Sequence, residues 1–171
     1  PCEEEWDEEG KSGAPRLVKA GALEGLDAIL ALHVASGTPA GHIGLRSGHV
    51  TAAVDPYDAT ILGVGCHSAS PQSGVNPIFL LAQVINAIQG IQSLRINPLQ
   101  PAIISVEAVR AGDSSGVIPN EVHLHGNIRC FDRQVQRQLA AELEKALAIT
   151  RAMGGDYRLT VRHTFPPTYN D

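Results

Sequence analysis

Two groups of residues in this 171-residue chain are of types that could do hydrolytic chemistry. The first is the stretch 63–77, Gly-Val-Gly-Cys-His-Ser-Ala-Ser-Pro-Gln-Ser-Gly-Val-Asn-Pro. Gly63 and Gly65 flank one β-branched residue and let the backbone turn tightly, while Pro71 and Gly74 keep the segment irregular. Asn76 is a good helix N-cap and Pro77 suits the first helical position. His67 is therefore carried on a shaped loop that leads into a helix N-terminus, a place for a positioned polar group. The plain alternative is a surface histidine.

The second group is the acidic run from Glu3 to Glu9, followed by His33. Adjacent carboxylates such as Glu3 and Glu4 can divide labour, one binding a metal and the other taking the proton from metal-bound water. A solvated acidic loop is the alternative. His33 lies near the end of the apolar run Asp27–Val34. That run predicts a strand buried on both faces, as in a parallel sheet, with the histidine near its carboxyl end where open α/β sheets build their sites. His123 and His125 form a His-x-His pair on one strand face, read as solvent-facing polar residues because no third ligand lies nearby in sequence.

These side chains need elements to hold them. A short helix is expected over Ala14–Gly21, and a linker over Ser36–Gly48 with a short strand at His42–Arg46. Val50–Val54 and Tyr57–Val64 read as strand with a bend at Asp55-Pro56. Asn76–Ile96 reads as a helix with Ile78, Leu81, Ala82, Ile85, Ile88 and Gln92 on one stripe. Ala102–Val109 is a strand and Ala111–Asn120 a loop. Glu121–Cys130 alternates, with Val122, Leu124, Gly126 and Ile128 opposite His123, His125, Asn127 and Arg129. Asp132 caps a helix running to about Met153, ended by Gly154-Gly155, and Tyr157–His163 is the last strand. From Tyr57 the order is β-α-β-β-α-β, the ferredoxin-like split βαβ arrangement. The expected fold is thus α/β pieces (1–47 and 165–171) flanking an inserted α+β domain (48–164).

Composition narrows the function. A net charge of −5 with no basic run argues against nucleic acid, and no apolar run reaches the length of a membrane span of about 20 residues. Three scattered cysteines argue against a disulfide framework and point to a reducing, cytoplasmic setting.

Pro1-Cys2-Glu3-Glu4, Leu32-His33-Val34, Gly63-Val64-Gly65-Cys66-His67-Ser68-Ala69-Ser70-Pro71, Val117-Ile118-Pro119, Gly126-Asn127-Ile128-Arg129 and Phe165-Pro166-Pro167-Thr168 before Asn170-Asp171 share one further property. In type, order and spacing they resemble the motifs of the dinuclear-metal aminoacylase and carboxypeptidase family, in particular its hippurate and auxin-conjugate hydrolase branch. The resemblance implies hydrolysis of N-acyl amino acids or related conjugates, using two divalent ions of zinc, manganese or cobalt. It makes Glu3 the general base, Glu4 and His33 metal ligands, and His67 the donor to the oxyanion in a partner subunit. Arg129 would hold the substrate carboxylate, and a homodimer would form through the inserted lid. Gly116 stands where the family has a substrate-binding Asn, and Cys66 where it has a second glycine. The family's remaining ligands would lie outside residues 1–171, so the chain is expected to be an incomplete, inactive piece. A non-catalytic dimerisation or binding module, or an inactive paralogue, are the competing readings.

Overall fold

The computed structural model describes residues 13–171, which fall into two compact units divided at Gly44 and Leu45. Glu3 and Glu4, with the rest of the acidic run, lie outside the described residues.

In the first unit, α1 (Gly13–Lys19) is the regular element among the described residues. Basic Arg16 and Lys19 in its last turn suit the negative end of the helix dipole, and turns around Gly21 and Gly25 follow it. The strand expected over Asp27–Val34 is not formed. Ile29, Leu30, Leu32 and Val34 are 70–97% exposed. The physical reason is the one that made them look like a buried strand. An apolar run of that kind is stable only between neighbouring strands, and the described residues of this unit supply none. The short strand expected at His42–Arg46 is likewise absent, and extended structure starts instead at Gly48.

The second unit carries the core. β1 (Gly48–Thr51) leads into β2 (Ala53–Leu62), and β3 (Cys66–His67) and a single 3-10 turn at Pro71–Ser73 precede α2 (Pro77–Leu94). β4 (Ala102–Ala111), β5 (Val117–Ile118) and β6 (Glu121–Cys130) come next, then α3 (Arg133–Ala152), β7 (Asp156–Val161) and β8 (Thr168–Asn170). β2, β4, β6 and β7 form one antiparallel sheet in the order β4-β6-β2-β7. Both helices pack on one face of it. This is the expected β-α-β-β-α-β path, with two two-stranded ribbons added, β1-β8 and β3-β5.

The bend expected at Asp55-Pro56 does not occur, and β2 runs straight through. Pro56 is tolerated because β7 has ended there, and the one bond across runs from the Arg162 N–H to the Pro56 carbonyl, 2.9 Å. Alternating burial along β2 and β6, ten residues each, then buries Tyr57, Ile61, Val122, Leu124 and Ile128 under the helices. α2 meets the sheet with Leu80, Leu81, Val84, Ile88 and Ile91, a stripe turned from the expected one, which leaves Ile78 44% exposed. By length and apolar content α2 resembles a membrane span, but this buried stripe makes it a core helix. α3 contributes Val135, Leu139, Leu143 and Leu147 at the four-residue spacing read from the sequence.

The ends of the unit meet in a neck. Gly48 to Thr51 pair with Thr168 to Asn170, the Thr51 hydroxyl donates to that of Thr168 at 2.7 Å, and His49 lies against Phe131 and Tyr169 with ring centroids 5.0 and 5.2 Å away. Next to it Asp55, 1% exposed, accepts from Gln136 Nε2 at 2.7 Å and faces His163 Nδ1 at 2.6 Å, both through Oδ2. A buried carboxylate needs such partners. They tie β2, α3 and the segment after β7 together.

Candidate functional site

His67 is placed by a framework that the glycines permit. The Gly63 N–H donates to the Asn120 carbonyl at 2.7 Å and the Gly65 N–H to Asn120 Oδ1 at 2.8 Å. Val64 and Val75 exchange both backbone bonds at 2.9 Å. A Cβ on Gly63 would stand 2.2 Å from the Val75 carbonyl oxygen, and one on Gly65 would stand 2.9 Å from Asn120 Oδ1. Only glycine admits that approach. Cys66 then pairs with Ile118 and His67 with Val117, both in ordinary extended backbone, so position 66 does not require glycine.

The His67 ring is exposed, and its Nδ1 accepts from the Ala69 N–H at 3.1 Å. In the neutral ring this bond leaves the proton on Nε2, so the outward nitrogen is a donor. The next residue completes the link to the facing loop, since the Ser68 N–H donates to the Gly116 carbonyl at 2.9 Å. Gly116 has φ +79, a left-handed conformation, and nothing lies within 4 Å of where its Cβ would be. Asn tolerates that conformation better than most residues, so an Asn at 116 would keep the same backbone and meet open space. His67 lines an open groove with Arg110, His123, Val117, Ile118 and Pro119, and Gly116 is tied to its edge through Ser68 without lining it. Asn120, which anchors the groove, was not singled out from sequence. Its signal was the Pro119-Asn120 pair immediately before a strongly alternating strand.

Arg129 is not in this groove. It sits on β6 across from Val54 and Ile103, at the neck end of the sheet. Eight steps along β6 separate it from Glu121, which at about 3.4 Å each is roughly 27 Å. Between them the open face of the sheet is a charge lattice. Asp58 faces His125 at 3.0 Å and Arg162 at 2.7 Å, and Glu107 accepts from Asn127 at 2.8 Å and Ser105 at 2.9 Å. Burial acts to raise the Asp58 carboxyl, but the bonds from His125 and Arg162 outweigh it and hold it below its usual value. The bonds from Asn127 and Ser105 do the same for Glu107. His123 is engaged by Glu121 at 3.2 Å and approached by Thr60 at 3.3 Å, so each member of the His-x-His pair has its own partner, as expected of solvent-facing residues.

His33 is exposed in the first unit, with Nδ1 2.6 Å from the Val34 carbonyl oxygen. A ring that donates from Nδ1 carries its lone pair on Nε2, the form a metal binds. No group of three or more His, Cys, Asp or Glu side chains able to hold a metal occurs among the described residues. Those residues therefore do not enclose a metal by themselves.

Residues 40–151 match the model of a family described as the peptidase dimerisation domain of M20 peptidases. The chain belongs to this family. The matched span covers β2, β4 and β6 of the sheet, α2, all but the last residue of α3, and the residues that line the groove. The chain is 36% identical over 163 residues to the N-acetyl-L-cysteine deacetylase of Bacillus subtilis, covering 94% of this chain and 38% of the relative. It is 33% identical over 159 residues to an N-acyl-L-amino acid amidohydrolase of Geobacillus stearothermophilus, covering 92% and 43%. Among solved structures, the YXEP protein of Bacillus subtilis, a dinuclear metal binding peptidase from the M20 family, is 26% identical with a TM-score of 0.69, over 93% of this chain and 39% of that one. The chain thus spans about two fifths of the length of these relatives.

Proposed function

We propose that this chain is part of a metal-dependent amidohydrolase that cleaves the amide of N-acyl amino acids or related conjugates. In this reading the M20 dimerisation domain is the lid of the active site and pairs with a second copy of itself. The observation that carries it is the placement of Arg129 roughly 27 Å along β6 from Glu121, which lines the groove that holds His67. One substrate cannot touch His67 and Arg129 within a chain. A second copy joined antiparallel along the open edge of β4 reverses the direction of the sheet, and so sets the His67 end of one protomer beside the Arg129 end of the other.

The roles then follow from chemistry. Arg129 offers a planar guanidinium to the substrate carboxylate, which it can bind through both oxygens. His67, with its proton on Nε2, donates to the oxyanion that forms at the amide carbonyl, a contribution of about 3 kcal/mol for comparable donors. The Asn120 framework and the Ala69 N–H hold the ring in that orientation. Glu4 and His33 are this chain's contribution to a divalent metal site, and Glu3 the group that takes the proton of the attacking water. When bound, such metals polarise the carbonyl and acidify water.

The test is complementation in the full-length protein, assayed on N-acyl amino acids with zinc, manganese or cobalt. His67→Ala and Arg129→Ala are each nearly inactive. Mixed and allowed to exchange subunits, they regain roughly a quarter of wild-type activity, because half of the dimers are mixed and each holds one intact site. Folded, exchanged mixtures that stay inactive would show that His67 does not act across subunits. A wild-type protein that binds metal and cleaves none of the substrates would favour the inactive paralogue, the reading to which the missing Asn side chain at Gly116 points.

A further inference from the structure

The arginine assigned to the substrate carboxylate has no side-chain partner of its own. Arg129 is exposed, and its guanidinium makes no hydrogen bond and no ion pair to another of the described residues. Its position is therefore set by the backbone of β6 and by what that backbone leans on. Across from it is Val54. The Val54 N–H donates to the Phe165 carbonyl at 3.2 Å, and the Phe165 N–H donates to the Val54 carbonyl at 3.4 Å. Both backbone groups of Val54 thus point away from β6. Val54 and Arg129 form a non-hydrogen-bonded pair, the kind whose side chains lie closest. The two bonds to Phe165 are long for backbone hydrogen bonds, and the Thr164 hydroxyl adds one more to the Val54 carbonyl.

The stronger hold on this segment is His163, whose Nδ1 donates to Asp55 Oδ2 at 2.6 Å. Asp55 follows Val54 and is 1% exposed, whereas the His163 side chain is 64% exposed. Gln136 Nε2 donates to the same carboxylate oxygen at 2.7 Å. The other oxygen, Oδ1, is buried and has no hydrogen-bond partner among the described residues. The buried carboxylate is therefore satisfied through one oxygen by two donors, of which only His163 can carry positive charge. Asp55 pairs with Ile128 and Ala53 with Cys130, the two neighbours of Arg129 on β6. We propose that His163 is a positioning residue for the reaction. Through Asp55 and Val54 it fixes the stretch of β6 from which Arg129 reaches the substrate carboxylate. The inference rests on the reading that Arg129 holds that carboxylate.

The experiment uses the full-length metal-loaded protein and an N-acyl amino acid. His163→Ala raises KM about tenfold and leaves kcat within about threefold, and His163→Gln, which keeps a neutral donor, recovers part of the KM. Two competitive inhibitors separate positioning from general damage. The Ki of the free amino acid rises with KM, whereas that of acetohydroxamate, a metal ligand with no carboxylate, does not move. A further readout needs no turnover. Amide hydrogen exchange at Val54 and Phe165 quickens in His163→Ala and returns towards wild type in His163→Gln. A KM or an exchange rate that does not change, or an acetohydroxamate Ki that rises as far as KM, overturns the proposal. If wild type cleaves no N-acyl amino acid, the proposed function has failed instead. Binding of the free amino acid, followed at the Arg129 side-chain resonance, then decides His163 alone. Weakening by about tenfold in His163→Ala supports the role, and equal binding, or none in wild type, ends it.

Discussion

The two helices that cover one sheet are finished differently on their outer faces. α3 carries six charged side chains in its twenty residues. Several are paired, Glu142 with Arg95 at 2.9 Å and Lys145 at 2.7 Å, and Arg151 with Asp156 at 2.7 Å. Hydrogen bonds from Arg95 and Lys145 hold the Glu142 carboxyl below its ordinary value. α2 has no charged residue in eighteen, and it leaves Ile78, Phe79 and Leu94 exposed. The strands beside them differ too. β7, next to α3, is six residues long, whereas β4, on the α2 side, is ten residues of open edge with Ile103 and Val109 exposed. Inward, the helices are alike, each sealing the sheet with aliphatic side chains. Inner faces answer to the fold, and outer faces answer to what lies outside. The α3 side is built for water. α2 lacks the charges that keep a helix face apart from other chains, and β4 beside it leaves a long open edge; this is the side on which the second copy is proposed to lie.

If the inner faces are equivalent, equal damage to each should cost the same. Ile88→Ala on α2 and Leu143→Ala on α3 each remove a side chain that is 0% exposed, and each is expected to cost about 2–5 kcal/mol. Urea denaturation of the two variants measures this. A gap of more than about 2 kcal/mol between them would mean that the helices are not equivalent partners of the sheet. The outer faces are expected to split. Phe79→Glu puts a charge on the uncharged helix and should weaken self-association by roughly a hundredfold, about 2.7 kcal/mol. Ala141→Glu, on the exposed face of α3, should leave it unchanged. Sedimentation equilibrium of both variants decides, and a dimer dissociated by Ala141→Glu but not by Phe79→Glu would move the interface to the other helix.

Much of this fold was legible because its signals are local. The bounds of β6 follow from strict alternation, and both helix starts from Asn76-Pro77 and Asp132, which cap as read. What was not legible depended on partners distant in sequence. Asp27–Val34 has the composition of a buried strand, but composition cannot supply the neighbours such a strand needs. The stripe on α2 differs from the expected one because Ile78 is apolar yet 44% exposed, while Leu80, Val84 and Ile91 meet the sheet, and period alone does not choose between apolar faces. The β3-β5 ribbon joins two short segments some fifty residues apart through two residue pairs, too few for periodicity to register. Within the site, the loop glycines pointed to His67. Its anchor Asn120, and the buried Asp55 that ties down His163 and Gln136, show no pattern until the strands are paired.

The caps give the finest test of the same comparison, because one titrates and the other does not. Asn76 Oδ1 accepts from the Ile78 N–H at 2.9 Å, and Asp132 Oδ1 accepts from Gln134 and Val135 at 2.7 and 3.0 Å. The Val135 and Gln134 N–H groups hold the Asp132 carboxyl below its ordinary value of 3.8. A group whose folded value is depressed stabilises the fold above its unfolded value, and that contribution is lost as the pH falls through the folded one. Asn76→Ala should therefore cost about 1 kcal/mol at neutral pH and nearly the same in acid. Asp132→Ala should lower Tm at neutral pH, and the loss should shrink towards zero well below the carboxylate range. Thermal unfolding of both variants across that range separates them. A cost for Asp132→Ala that does not change with pH would mean that its carboxylate charge does nothing for the start of α3, and that the two helices are capped by the same neutral hydrogen bonding.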